Sequence, residues 1–246
     1  MARETLTPDQ IVKAAIDLLD TEGLEGLNMR SLGARLDSAA TAVYWHVGSK
    51  ENLIALASDL AWSEIALPDL TAIDWRTAAT QMATDLHTML IRHTWLLQAF
   101  GSFVSYGPGR ARYIDHSLAI YEAAGFAGPR VDQACATVFT FVLGNTLGAA
   151  AGGSLHRKFS GDGGNAEKRI HDGMAKAREI AAQFPRLRTR LSTAAADYSS
   201  GPEQSFEFGL QVILEGLTSE RFRPAGRPSK PPPPRRKAGK PARQKR

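Results

Sequence analysis

One cysteine, Cys135, stands among 246 residues, so an internal disulfide framework is excluded and a reducing cytoplasm is the expected setting. The stretch Met1-Ala2-Arg3-Glu4-Thr5-Leu6 lacks the basic-then-apolar pattern of an export signal. No segment alternates apolar and polar residues convincingly enough for a strand. Recognisable catalytic chemistry is equally scarce. His87 and His93 are six residues apart, which does not put them on one helix face as a metal pair requires. Gly161-Asp162-Gly163-Gly164 has no following Lys-Ser/Thr, so it reads as a flexible loop rather than a phosphate cradle. No nucleophile–base arrangement is evident. The chain is expected to be no enzyme and to need no cofactor or metal.

Positive charge is also missing from most of the chain. The formal net charge is +5, but from Arg221 onward there are eleven Lys or Arg and no acid. The remaining 19 basic and 25 acidic residues leave residues 1–220 at about −6. The tail holds seven of the thirteen prolines and a single aromatic, Phe222. Such a segment cannot bury enough apolar surface to fold and is expected to be a disordered, partly polyproline-II arm. It could serve as a solvated solubility tail, or as a non-specific electrostatic arm for nucleic acid. Charge is absent again from Gln133 to Leu155, 23 residues that are long enough to span a bilayer. Gln133, Asn145, three threonines and several glycines dilute that run. It reads as a helix buried inside a helical protein, with no membrane partner.

Helical periodicity fills the rest. Thr7-Pro8-Asp9-Gln10 is a capping box with proline at the first helical position, and Ile11, Ala15, Leu18 and Leu19 follow at helical spacing until Gly23. A second short helix is expected from Met29 to Leu36 and a third from Ala40 to Val47. Ser49 caps a fourth, Lys50 to about Leu67, before Pro68. Asp74 caps a helix to His93. Further helical pieces cover 95–104, 109–124 and 129–153, then a glycine-rich loop at 154–166, a polar helix at 167–184 closed by Pro185, and a last helix at about 203–219. The chain reads as all-α.

Residues 30–50 carry the most information. Two short helices joined by a tight turn form a helix–turn–helix, whose second helix lies in the major groove of duplex DNA. Here that helix carries Thr41, Tyr44, Trp45 and His46, a polar and aromatic set unsuited to filling a core. Arg30 can reach a guanine with its bidentate fork. Lys50 and the free amides after Ser49 sit at a helix N-terminus, which attracts phosphate. A three-helix bundle with aromatic packing would share the same spacing.

Glu25-Gly26-Leu27-Asn28-Met29-Arg30-Ser31-Leu32, Val43-Tyr44-Trp45-His46-Val47 and Lys50-Glu51-Asn52-Leu53-Ile54 closely resemble the tetracycline-repressor family across residues 7–65. The likeness returns at Phe206-Glu207-Phe208-Gly209-Leu210-Gln211-Val212-Ile213-Leu214-Glu215-Gly216-Leu217, similar to a final dimerisation helix, and at Phe141-Val142-Leu143-Gly144. The resemblance implies a helix–turn–helix DNA-binding domain at 1–49 and a helical ligand-binding and dimerisation domain at 50–220, with 50–67 as the connecting helix and the tail at 221–246. It implies a homodimer joined through helices near 129–153 and 203–219, a palindromic duplex operator, and release of that operator when a small molecule binds. By position, base contacts fall to Arg30 and to Ala40, Thr41 and Tyr44, and phosphate contacts to Trp45, His46 and Lys50. Ala39 and Ala40 stand where polar base-reading side chains are usual, and Asp37 where a turn glycine is usual. The operator should therefore differ from the tetracycline one.

The positions that hold a metal-bound drug in the parent family read here as Phe100 and Gly148, and other drug-contacting positions as Ala66 and Met82. None of these ligates magnesium, so a more apolar effector is expected. Met82, Leu86, Phe100, Phe103, Phe139 and Asn145 are the candidate pocket residues, each of which could equally be core. The expected function is a ligand-responsive transcriptional repressor. The alternatives are a helical small-molecule carrier or enzyme without a DNA role, and a structural nucleic-acid binder working through its tail.

Overall fold

The structure is a computed structural model that describes residues 6–102, 107–160, 165–192 and 201–220, among which lie eleven helices and no strand. Phe103 and the basic tail from 221 onward fall outside the described residues. The first helix, α1 (Pro8–Gly26), starts on the expected capping box. The Gln10 amide donates to the Thr7 hydroxyl at 3.3 Å, and the Thr7 amide donates to the Gln10 side-chain oxygen at 3.0 Å. Its apolar stripe of Ile11, Ala15, Leu18 and Leu19 is buried, and at Gly23 (φ 72°) the backbone leaves helical geometry before one more turn. Asn28 caps α2 (Met29–Arg35) by accepting the Ser31 amide at 2.8 Å. The third helix, α3 (Ala40–Val47), has no side-chain cap at Ala39 and ends on Gly48 (φ 75°). One residue later Ser49 caps α4 (Lys50–Trp62).

α4 ends five residues before the expected Leu67. Ser63 folds its hydroxyl back onto the Asp59 carbonyl, and Glu64 turns away to meet Arg92 and His93. Asp74 caps α5 (Trp75–Arg92) by accepting the Arg76 and Thr77 amides at 2.9 and 3.1 Å. There follow α6 (Trp95–Ser102), α7 (Pro108–Ala123) and α8 (Pro129–Ser160). The last of these continues through residues 154–160, where a loop was expected. A helix glycine costs only about 1 kcal/mol relative to alanine, too little to break a long helix. α9 (Asn165–Ala182) precedes a short helix that the sequence did not suggest, α10 (Pro185–Arg190): Pro185 closes one helix and occupies the first position of the next. α11 (Gly201–Glu220) completes the chain.

α5, α7, α8 and α11 pack together, and α4 lies on both α1 and α7. One apolar cluster runs from Ile11 and Leu19 through Leu53, Trp62, Leu86 and Leu90 to Val142, Leu210 and Leu214. The head is tied to the body by polar contacts too. Asp20 of α1 accepts from the Trp95 indole at 2.8 Å and lies 2.7 Å from His93 Nδ1, while His93 Nε2 lies 3.2 Å from Glu64. The uncharged run at Gln133–Leu155 lies inside α8, and among the described residues no helix is long and apolar enough to cross a membrane.

Candidate nucleic-acid interface and effector cavity

α2 and α3 are joined by a turn whose geometry the sequence dictates. Asp37 takes φ 46°, a left-handed conformation that Asp tolerates better than most residues, and the Ser38 amide donates to the Gly33 carbonyl at 2.8 Å. Gly33 is required for a different reason: a Cβ there would lie 2.7 Å from the Ser38 carbonyl oxygen and 3.1 Å from the Ala40 nitrogen. The turn thus presses directly on α2, fixing the angle at which α3 leaves.

Val43 and Val47 bury the inner face of α3, which turns Thr41, Tyr44 and Trp45 outward. Trp45 is 83% exposed, more than any other large apolar side chain among the described residues. Its ring meets that of half-buried His46 edge-on at 4.8 Å, and Ala40 is half-buried at the N-terminal turn. Arg30 is exposed on the first turn of α2. The structure places Lys50 differently from the sequence expectation of an outward phosphate contact. Its ammonium donates to the Leu24 carbonyl at 3.0 Å, so it ties the start of α4 to the last turn of α1 and has two N–H groups left.

The second candidate site is a cavity of about 250 Å³ between α4, α7 and α8. Trp62 comes from the last turn of α4, Arg110, Tyr113 and Ser117 from one face of α7, and Cys135 and Phe139 from α8. A gap of about 20 Å³ behind it is bordered by Met82, and it shares Tyr113 and Phe139 with the main cavity. Burial raises the Tyr113 phenol above its ordinary value and, with Asp132, pushes the Cys135 thiol up to about 11, so both line the wall as neutral groups.

Of the expected pocket residues, then, Phe139 lines the cavity and Met82 its inner extension. Phe100 stands one layer back, edge-on to Phe139 at 6.2 Å and to Trp62 at 6.1 Å. Leu86 is fully buried in the core and borders neither space. Asn145 lies nearer α11, bonded to His87 Nε2 at 3.0 Å, with the His87 ring stacked on Phe206 at 4.1 Å. Phe103 cannot be placed, since it falls outside the described residues. Sequence reasoning overlooked Trp62, Arg110, Tyr113 and Ser117. The signal was there in outline, because positions 110, 113 and 117 share a helix face and put one cation among apolar neighbours.

Comparison with known proteins places both sites in a wider context. The "Tetracyclin repressor-like, C-terminal domain" profile matches residues 67–221, and that of "Bacterial regulatory proteins, tetR family" matches residues 11–57. The chain is 32% identical over 224 residues to the HTH-type transcriptional repressor DrrR1 of Streptomyces coeruleorubidus, covering 87% of this chain and 78% of that protein. It is 28% identical over 223 residues to the class A tetracycline repressor from transposon 1721 of Escherichia coli, covering 88% and 93%. The structure of the Streptomyces coelicolor TetR family protein ActR in complex with actinorhodin matches with a TM-score of 0.69 at 23% identity, over 91% of this chain and 100% of that one. At that identity the match shows a shared fold.

Proposed function

The chain belongs to the tetracycline-repressor family of bacterial transcriptional regulators, and from that premise we propose that α3 reads a palindromic operator and that a small molecule in the α4–α7–α8 cavity releases it. Relatives are named as regulators or repressors, not as enzymes, so the carrier or enzyme alternative gives way to a DNA-binding, ligand-responsive regulator. Members of the family bind operators and small-molecule effectors and act as dimers.

In this reading residues 1–49 form the DNA-binding domain and 50–220 the effector and dimerisation domain, with 221–246 as tail. Thr41, Tyr44 and Ala40 face base edges, Arg30 reaches a guanine, Trp45 and His46 lie along phosphates, and Lys50 meets one only through the N–H groups that its bond to Leu24 leaves. The observation that carries the reading is the path of α4. It begins after only two intervening residues, Gly48 and Ser49, and finishes at Trp62 in the cavity wall, so an occupant that displaces Trp62 moves the helix carrying the head. Dimerisation is assigned to α8 and α11, where Leu147, Phe208 and Val212 are exposed apolar side chains 51%, 73% and 50% open to solvent.

A gel shift with DNA flanking the chain's own gene tests this, followed by footprinting on any fragment retained. The expected outcome is a protected inverted repeat with half-sites about one helical turn, or a multiple of it, apart. Binding that is equal on that DNA and on random duplex would overturn it.

A further inference from the structure

We propose that Asn52 is a specificity-determining positioning residue, which fixes the angle of α3 in the major groove through a hydrogen bond across the joint between α3 and α4. This deepens the reading of α3 as the helix that meets base edges, and rests on it. The first support is an irregularity at the start of α4. With Ser49 as N-cap, Asn52 stands at the third helical position. A polar side chain there commonly reaches back to the backbone amide of its own N-cap. α1 follows that pattern, since the Gln10 side chain accepts the Thr7 amide at 3.0 Å. Asn52 departs from it. Its backbone amide donates to the Ser49 hydroxyl at 3.0 Å, while its side-chain amide passes over the cap and donates to the Val47 carbonyl at 2.9 Å. Val47 is the last residue of α3, where carbonyls have no partner within the helix, so the bond ties one helix to the other.

The second support is what holds α3 elsewhere. The turn that presses on Gly33 fixes its N-terminal end. Along its length α3 buries only Val43 and Val47, which constrain its tilt weakly. At its C-terminal end the Ser49 amide donates to the Val47 carbonyl at 2.8 Å, which closes the two-residue turn but leaves the angle between the helices open. Asn52 reaches the same carbonyl from inside the first turn of α4, and so sets that angle. Its base is firm, because Lys50 anchors the same turn to the Leu24 carbonyl.

Geometry gives the consequence. A helix of 8 residues is about 12 Å long, so a change of about 10° in tilt moves its free end by about 2 Å. Tyr44 lies one turn from that end, and a shift of this size breaks hydrogen bonds to base edges. Asn52 is exposed, so water competes for its amide and the expected effect is several-fold rather than complete.

Three variants of the full chain test the proposal. Asn52→Asp keeps the shape, loses the donor and places a carboxylate in the first turn of α4, which favours that helix. Asn52→Ala loses the donor without adding charge, and Asn52→Gln keeps it on a longer arm. Competition gel shifts set the DNA fragment retained from beside the chain's own gene against random duplex. Preference for that fragment should fall about three- to ten-fold in the Asp and Ala variants and recover in part with Gln. The Asp variant should melt close to the unaltered chain, and the Ala variant should keep its salt slope. Single-base variants of the fragment should place the loss at positions facing α3 and spare the one assigned to Arg30, which reads from α2. Undiminished preference in the Asp and Ala variants, a loss equal on random duplex, a loss spread evenly over all bases, or a loss that tracks melting temperature across the three variants would each overturn the proposal. An unaltered chain that shows no preference for the fragment would overturn the operator reading, and this proposal with it.

Discussion

Two side chains of opposite exposure hold the sharpest residue-level expectations. Arg30 is exposed where α2 begins, and Arg30→Ala is expected to cost about 1–3 kcal/mol on the operator while relaxing preference at one base position. Competition gel shifts with single-base operator variants check this, and an equal loss on random duplex would assign Arg30 to phosphate instead. His93 is only 2% exposed. Burial by itself would lower the pKa of its imidazole, but the hydrogen bond and charge of Asp20, joined by Glu64, raise it above the ordinary value of 6.5. A folded-state value above the unfolded one stabilises the protein in full below about 6.5, and that contribution is lost as pH rises through the elevated value. The urea midpoint should therefore fall across that alkaline-going window, and His93→Gln should flatten the dependence. A native midpoint that rises over the same window would contradict it. His93 shows why some of the site was not legible: its partners lie 73 and 29 residues away, and its spacing from His87 tests only for a metal pair. Lys50 illustrates the opposite problem, since its position suggests phosphate but the Leu24 carbonyl, 26 residues back, accepts a hydrogen bond from one of its N–H groups.

Among the elements, those begun by a local signal were readable and those held by a distant one were not. Thr7, Ser49 and Asp74 cap α1, α4 and α5 because each accepts backbone amides within three residues, a pattern written in the sequence itself. The start of α7 is different. Asp59 of α4 accepts the Gly109 amide at 2.8 Å and the Arg110 amide at 3.3 Å, a cap supplied from 50 residues away. α8 runs on past the glycines at 152 and 153, because a helix glycine costs too little to end a long helix. Gly33 is the residue on which the α2–turn–α3 element most depends. A methyl group there would press on the Ser38 carbonyl and the Ala40 nitrogen, both backbone atoms that cannot rotate aside. Gly33→Ala is therefore expected to destabilise the chain by about 1–3 kcal/mol and to weaken operator binding more than any change on the far side of α1. Thermal unfolding with a parallel gel shift checks both, and an unaltered melting temperature with unaltered affinity would show that the turn relaxes freely.

At the scale of the whole molecule, folding and electrostatics are assigned to different parts of the chain. Leu147, Phe208 and Val212, the exposed apolar side chains proposed to meet a second copy, lie on α8 and α11, and α11 ends at Glu220. It is anchored there from within the chain, since Arg76 of α5 donates to Gln211 and Thr218 at 3.3 and 3.2 Å and lies 3.6 Å from Glu215. The excess positive charge begins after that point, with eleven Lys or Arg from Arg221 onward, while residues 1–220 sum to about −6. Deleting residues 222–246 removes ten of those eleven charges and leaves α11 intact. The truncated chain should therefore still sediment as a dimer, because apolar burial drives that association and the tail contributes none of it. Its affinity for random duplex should fall, and the slope of log affinity against log salt should flatten by about 0.9 for each phosphate the tail had neutralised. Operator preference should survive if α3 reads base edges as proposed, since bulk charge carries no sequence information. A truncated chain that sediments as a monomer would remove dimerisation from α8 and α11. An unchanged salt slope would make the tail a solvated extension, with the DNA affinity of this acidic body resting on the short-range fit of Arg30 and α3 alone.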